Sequence, residues 1–375
     1  MLTKATLYRN LMLLPGWRTR RKIVVIESDD WGCMRMPDLK TLNGLARINQ
    51  GLIEDPMNSL DSLETNEDLL ALYDVLTGFK DSNGDPAIIT ANTIVANPDY
   101  DKIRDDNFSK YSYEPFPETL KKYPGRDQVM NLINHGMTAG IYKPQFHGRE
   151  HINVGQWLYE LQSGNHELLE AFRYRVFGIN LTAKVSMRNN LMAAFDYNHK
   201  EETEDQKLII HEGISLFKEI FRFQPESFIA TSYIWDSAIE RCLKSSGIKY
   251  IQGIPYQYIP NPGGKWYNRK FHFTGQRNNE GQVYLARNAS FEPSLSAGTD
   301  VVGECLQRIE MAFKWRKPAI IGSHRVNFIG SLDVKNRTNS LEQLTDLLLK
   351  IIKKWPETEF MSSDQLGRLI KNTIN

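Results

Sequence analysis

Three short blocks carry residues able to do chemistry together. The first is Asp29-Asp30, which follows the apolar run Lys22–Ile26. One of these carboxylates can ligate a metal while its neighbour takes a proton from water that the metal polarises. The charge of the metal would also keep that neighbour ionised near neutral pH. The plain alternative is that one Asp caps the following turn and the other is solvated. The second block is His147-Gly148-Arg149-Glu150-His151. Histidines separated by three residues would share one face of a helical turn, so both imidazoles could reach one ion. Glu150 is in the wrong slot for the HExxH motif of metalloproteases. The third is Ser323-His324-Arg325, after another apolar run. Two His and one Asp leave open positions for water and substrate, which suits zinc in hydrolysis or iron(II) in oxygen chemistry. The spare Asp and the spare His favour hydrolysis, which needs a base and an acid. His135, His166, His199, His211 and His272 have no such spacing and read as surface or core residues.

Each block stands where a predicted strand ends. Lys22–Ile26, Ala87–Ala96, Gly140–Phe146, Ser227–Ala230, Ile248–Gln252, Ala319–Gly322 and Glu359–Met361 read as strands. Helical spacing predicts helices over Glu67–Phe79, Asp127–Asn134, Glu204–Phe221, Asp236–Ser246, Asp300–Trp315 and Leu341–Lys354, and one long helix or two over Val154–Phe177. That alternation argues for a parallel sheet with helical crossovers, whose reactive side chains sit past the C-terminal strand ends. Trp266–Arg287 alternates aromatic and polar residues and reads as an inserted β-hairpin. Asn198–Asp205 reads as an exposed loop. The 375 residues are 41% hydrophobic and 24% charged, enough for a large core. A net charge of +1 excludes a strong electrostatic case for nucleic acid. Cys33, Cys242 and Cys305 form no CxxC pattern. No apolar run is long enough to span a bilayer. The first residues lack the sustained apolar region and cleavage site of a secretory signal, so a cytoplasmic location is expected. Leu11–Trp17 is expected to pack as a helix on the domain, a weak contact with a membrane or partner being the alternative.

The blocks, in this order, resemble the NodB-type polysaccharide deacetylase family, carbohydrate esterase family four. Ile26-Glu27-Ser28-Asp29-Asp30 is similar to its strand ending in Asp-Asp. His147 to His151 is similar to its His-(Ser/Thr)-x-x-His, with Gly148 in the Ser/Thr slot. Ile320-Ile321-Gly322-Ser323-His324 is similar to its strand ending in Leu-x-His, and Cys242 to Ile248 to its Leu-Lys-x-x-Gly run. The resemblance implies an irregular (β/α)7-type barrel, one domain over 1–375 with insertions at 33–85 and 255–295. It implies Asp29 as general base, His324 as general acid, and Asp30, His147 and His151 as ligands of a divalent metal. Zinc is expected, with cobalt, nickel or iron(II) as alternatives. The reaction implied is hydrolysis of an N- or O-acetyl group on a carbohydrate, with a bell-shaped pH profile. The alternatives are hydrolysis of another amide or a glycosidic bond on the same scaffold, or a carbohydrate-binding relic. Trp31, Tyr233 and Trp235 are expected to contact the sugar together with Arg149, whereas Trp157 is expected in the core. Two departures stand out. The family's Arg-x-Pro-Tyr motif, whose Arg orients the base, has no Arg here in Ile229–Tyr233. Arg149 or Arg325 could substitute, and the sequence does not show which residue does. Gly322 replaces the Leu that walls the acetate pocket.

Overall fold

The computed structural model describes residues 4–181, 191–264, 266–296 and 298–374. Its strands are β1 Lys22–Trp31, β2 Ile89–Ile94, β3 Ala96–Pro98, β4 Tyr113–Pro115, β5 Tyr142–Gly148, β6 Ser227–Ile229 and β7 Tyr250–Gly253. They continue with β8 Tyr256–Ile259, β9 Asn268–Phe271, β10 Val283–Ala286, β11 Ala289–Ser290, β12 Ala319–His324 and β13 Thr358–Phe360. The main sheet runs β10-β7-β6-β5-β2-β1-β12-β11, with β13 beside the start of β1, and its neighbours are parallel. Parallel pairing requires crossovers, and long helices such as Glu202–Phe221 and Val334–Lys354 supply them.

The two edge strands, β10 and β11, are joined by Arg287 and Asn288 alone. The Arg287 N–H bonds the Gly253 carbonyl of β7 at 2.8 Å, and the Asn288 N–H bonds the Ile320 carbonyl of β12 at 3.0 Å. The chain therefore steps from one edge of the sheet to the other in two residues, which the sheet can allow only by curling round on itself. With β10–β11 taken as one interrupted stave, the staves are β1, β2, β5, β6, β7, β10–β11 and β12. This is an irregular (β/α)7-type barrel.

The period of two in β1 decides what lies inside. Val24 and Ile26 face the outer helices, in a core shared with Leu344, Leu348 and Phe360. Ile23 and Val25 point inward with Val283, Leu285 and Ile320, closed off by Leu366 and Ile370 of the helix Ser363–Ile374. The inward face continues through Glu27 to Asp29, so one end of the barrel is an apolar plug and the other carries carboxylates. Each fully buried Ile or Val there contributes ~1.5–3 kcal/mol.

The predicted elements are present with shifted ends and two differences. Of the one or two helices expected over Val154–Phe177, there are two, Val154–Gln162 and His166–Arg173. The stretch 198–205 is partly helical, because Glu202 accepts hydrogen bonds from the Asn198 and His199 N–H groups and so starts the helix Glu202–Phe221. The inserted hairpin is β8–β9, whereas Val283–Ala286 is buried throughout and joins the barrel as β10. The helix expected over Leu11–Trp17 lies earlier, as α1, Lys4–Met12, with Leu13–Trp17 a turn after it; α1 packs on the domain, where Tyr8 bonds Tyr256 at 2.8 Å and Trp315 donates to Asn10 at 2.7 Å. No described helix is long and apolar enough to cross a membrane.

Leu366→Ala should destabilise the protein by about 2–5 kcal/mol, because the plug is close-packed and the cavity cannot collapse. Urea unfolding with an unchanged m-value checks this; a loss below ~1 kcal/mol would mean that the helix does not seal the barrel.

Candidate metal centre

Asp30, His147 and His151 converge at the C-terminal end of the barrel, all buried, with ligand atoms within 4.8 Å of one another. Asp30 Oδ1 lies 3.2 Å from Nε2 of both histidines. His147 Nδ1 lies 2.9 Å from the Ile229 carbonyl, to which it donates. In the neutral ring that leaves Nε2 as a lone pair aimed at a carboxylate oxygen. Two acceptors at this distance repel unless a cation or proton lies between them, and two imidazoles with one carboxylate suit a divalent metal. Burial acts against the Asp30 carboxylate, but His151 and Arg35 outweigh it and hold Asp30 well below the usual range. Arg35 donates to the second oxygen, Oδ2, at 3.1 Å. Burial lowers the pKa of His151, which favours the neutral, ligating ring.

The two histidines do not share a helical face. His147 ends β5, and the turn after it returns His151 to the same place. Gly148 at φ 142° makes that turn, in a region that side-chain-bearing residues rarely enter, which accounts for glycine in the Ser/Thr slot. Asp30 itself is left-handed at φ 74°, a conformation that Asp and Asn tolerate better than most residues.

Asp29 stands beside this cluster in a different environment. Arg287 grips it with both terminal nitrogens, to Oδ1 at 2.7 Å and Oδ2 at 2.8 Å, and Asn92 donates to Oδ1 at 2.8 Å. The Arg287 Nε donates to Glu27 at 2.6 Å. Burial again disfavours the charge, but Arg287 prevails and brings Asp29 down to about 2. Across from it, His324 Nε2 is 3.9 Å from Asp29 Oδ2, and Nδ1 is 2.7 Å from Glu292 Oε1. Burial opposes protonation of this ring, yet Glu292, aided by Asp29, raises its pKa to about 10. The two groups are thus held in opposite states, one ionised and one protonated.

The replacement for the missing motif Arg is neither Arg149 nor Arg325. Arg149 pairs with Glu150 and Glu212 and lies over Tyr113, away from the Asp29 carboxylate. Arg325 is fully buried, bonded to Asp61 at 2.9 Å and Glu64 at 2.8 Å. Arg287, at the end of β10, is the arginine that grips Asp29, and Tyr233, in the old motif segment, accepts from it at 3.0 Å. The second departure has the same origin. A Cβ on Gly322 would lie 2.7 Å from Arg287 Cδ, so the guanidinium stem occupies the space that a side chain there would need.

Trp31 and Trp235, expected at the sugar, are core residues. The Trp31 ring is fully buried, donates to Ser28 and packs edge-on against Tyr142. Trp235 donates to Glu240 and stacks on His272. Trp157 is buried as expected, and Tyr233 is half-buried. Sequence reasoning missed Arg35, Asn92, Arg287 and Glu292. For Arg287 the signal existed: it directly follows a strand end, once Val283–Ala286 is read as a strand.

No protein-family model and no curated protein sequence matches the chain. Solved structures that resemble it include the "probable polysaccharide deacetylase" of Pseudomonas aeruginosa PAO1, at 8% identity and TM-score 0.43, over 93% of this chain and 91% of that one. Another is the 4-alpha-glucanotransferase of Thermococcus litoralis, at 8% identity and TM-score 0.45, over 92% of this chain. This chain spans 40% of that enzyme. A third is Puue allantoinase, at 11% identity and TM-score 0.42, over 94% and 91%. A polysaccharide deacetylase is thus among the structures it resembles, at low sequence identity.

His324 should remain protonated up to about pH 10. Its folded pKa lies above the unfolded value near 6.5, so the stabilisation is fully present below ~6.5 and is lost as pH rises through the folded value. In Glu292→Gln the ring should titrate at least ~1 unit lower, followed by NMR of labelled histidine. An unchanged midpoint would remove Glu292 as its partner. Gly322→Leu should push Arg287 off Asp29 and destabilise the fold by about 1–3 kcal/mol through overpacking. A wild-type melting curve for that variant would contradict the close approach.

Proposed function

We propose that this chain is a metal-dependent hydrolase that removes an N- or O-linked acyl group, acetyl in the first instance, from a carbohydrate. The observation that carries the reading is the opposed pair Asp29–Arg287 and His324–Glu292 beside the Asp30–His147–His151 cluster. A purely structural ion would need neither a spare base nor a spare acid. The carbohydrate part follows from the order of the motif blocks and their resemblance to the deacetylase family.

Bound by Asp30, His147 and His151, a divalent ion, zinc in this reading, supplies Lewis-acid polarisation. Asp29 takes the proton from the attacking water. Arg287 and Asn92 keep that carboxylate ionised and fixed in direction, so it is a base at neutral pH. The water oxygen bonds to the acyl carbon, and the carbon–nitrogen or carbon–oxygen bond to the sugar breaks. His324 gives its proton from Nε2 to the leaving nitrogen or oxygen, while Glu292 holds Nδ1 and orients the ring. Arg35 holds the outer oxygen of Asp30 and leaves Oδ1 for the histidine side.

The test is metal content together with acetate release from a panel of N- and O-acetylated saccharides. Wild type should hold one divalent ion per chain, and the double variant His147→Ala, His151→Ala should hold none. Asp29→Asn should keep the ion and lose turnover by ~100-fold or more. Full metal content in the double variant would place the ion elsewhere. Metal-loaded wild type inert on every saccharide would overturn the acyl-sugar reading.

A further inference from the structure

A cavity of about 350 Å³ opens beside the proposed acid–base pair and plays no part in the chemistry above. Its volume falls in the range of ligand pockets, ~300–1,000 Å³. Tyr233, Arg287 and Glu292 line the side nearest the pair. The remaining wall is apolar over most of its surface, through Met12 and Leu13 at the end of α1, Tyr256 and Phe273 of the hairpin region and Met311 of the helix Val301–Lys314, while Arg9, Arg308 and Lys317 bring charge to it. That apolar surface suits an alkyl chain.

The outer side of the same element is unusual as well. Leu7 and Leu11 share one face of α1, Leu14 stands in the turn after it, and the three are 54%, 53% and 44% exposed. They are not loosely held. Lys317 donates to the carbonyls of Pro15 at 2.6 Å, Gly16 at 2.8 Å and Trp17 at 3.0 Å, which ties the segment down behind the leucines. Arg9, Arg18 and Arg20 are exposed next to them. A short segment with exposed leucines and, around them, Arg9 on the helix and Arg18 and Arg20 beyond its end fits the surface of an anionic bilayer, where leucines enter the acyl boundary and arginines meet the headgroups. Arg9 also lines the cavity, with Arg308, so the basic surface and the cavity share a rim.

We propose that α1 seats the protein on an anionic bilayer and that the cavity beneath it receives the alkyl chain of an amphiphilic substrate, with the sugar end at the acid–base pair. The sugar end rests on the function proposed above. One short helix with its following turn gives only marginal, reversible binding, and a chain held in the cavity is the second anchor that makes residence at the surface stable. The substrate class is then a lipid-linked saccharide rather than a free or polymeric one.

The experiment uses the full chain, with no turnover involved. Flotation with vesicles of phosphatidylcholine containing 30% phosphatidylglycerol should carry the protein, far less with phosphatidylcholine alone, and less at high salt. Leu7→Asp with Leu11→Asp should weaken that binding at least tenfold, and both positions are exposed, so the fold is spared. Decyl β-D-glucoside, titrated below its micelle concentration by calorimetry, should bind saturably at one site. Met311→Trp, or Leu13→Trp, also in the lining, if the first variant melts early, should weaken it at least tenfold while vesicle binding stays. Failure of wild type to bind the anionic vesicles, indifference to the leucine changes, or glucoside binding that is absent or insensitive to both tryptophans would each overturn the proposal. The glucoside carries no acyl group. Binding without acetate release on any saccharide would therefore fault the chemistry alone, and acetate release without binding would fault the lipid reading alone.

Discussion

One residue, Arg287, takes part in both the closure of the barrel, through its backbone, and the ionisation of Asp29, through its guanidinium. Arg287 lies between Glu27 and Asp29, two residues apart on the inward face of β1, and bonds both. Without a cation between them, two carboxylates this close and this buried cannot both ionise. With it, they part: burial pushes Glu27 up, while Asp29 goes down. Glu27 also accepts from Ser363 at 2.7 Å, which ties the pair to the helix that plugs the barrel. The backbone of Arg287 spans the gap between the sheet's edges. A contact that determines the protonation of Asp29 is therefore anchored in the topology, and its geometry cannot drift while the barrel stays shut. Truncating one partner of such a buried pair typically costs about 3–5 kcal/mol, since the other charge is left stranded.

The legible part of the sequence was the part that local patterns encode. Short β-branched runs gave the staves, and the strand-end rule pointed to Asp29, Asp30, His147 and His324, because each follows an apolar run within a few residues. What was illegible depended on long-range pairing. Val283–Ala286 is four residues in a polar stretch that turns at Asn278–Gly281, so the hairpin pattern masked a barrel strand, and Arg287 and Glu292 went with it. The tryptophans misled for a backbone reason. Asp30 is left-handed, so the alternation of β1 breaks just before Trp31, and the ring turns back against Ser28 and Tyr142 instead of into the cleft. The spacing of His147 and His151 suggested a helix, but a strand end with a glycine turn gives the same convergence.

The segment between β1 and β2 has a role that its length did not suggest. It contributes Arg35, Asp61 and Glu64, and β12 is followed by Arg325, which bonds both acids. Arg35 lies 3.9 Å from Asp61 and 3.1 Å from Asp30, so alternating charges run from the back of the fold to the metal cluster. Both oxygens of Glu64 also accept from the Gly32 N–H, at 3.1 and 3.2 Å, which pins the turn just past Asp30. The insertion acts as a rear brace for a carboxylate whose front oxygen must stay available.

Asp30 answers to two unrelated demands. Its backbone sits at φ 74°, where glycine, asparagine and aspartate are the residues that rest with least strain. Its side chain must present an anionic oxygen to two imidazoles while the other oxygen receives Arg35. Glycine and asparagine meet the first demand and lack the charge; glutamate has the charge, with a longer arm and a poorer fit to that backbone. Aspartate satisfies both. Asp29 is one step away on ordinary extended backbone and is constrained by its partners alone. Of the two adjacent acids, Asp30 is the one that backbone and side chain constrain together.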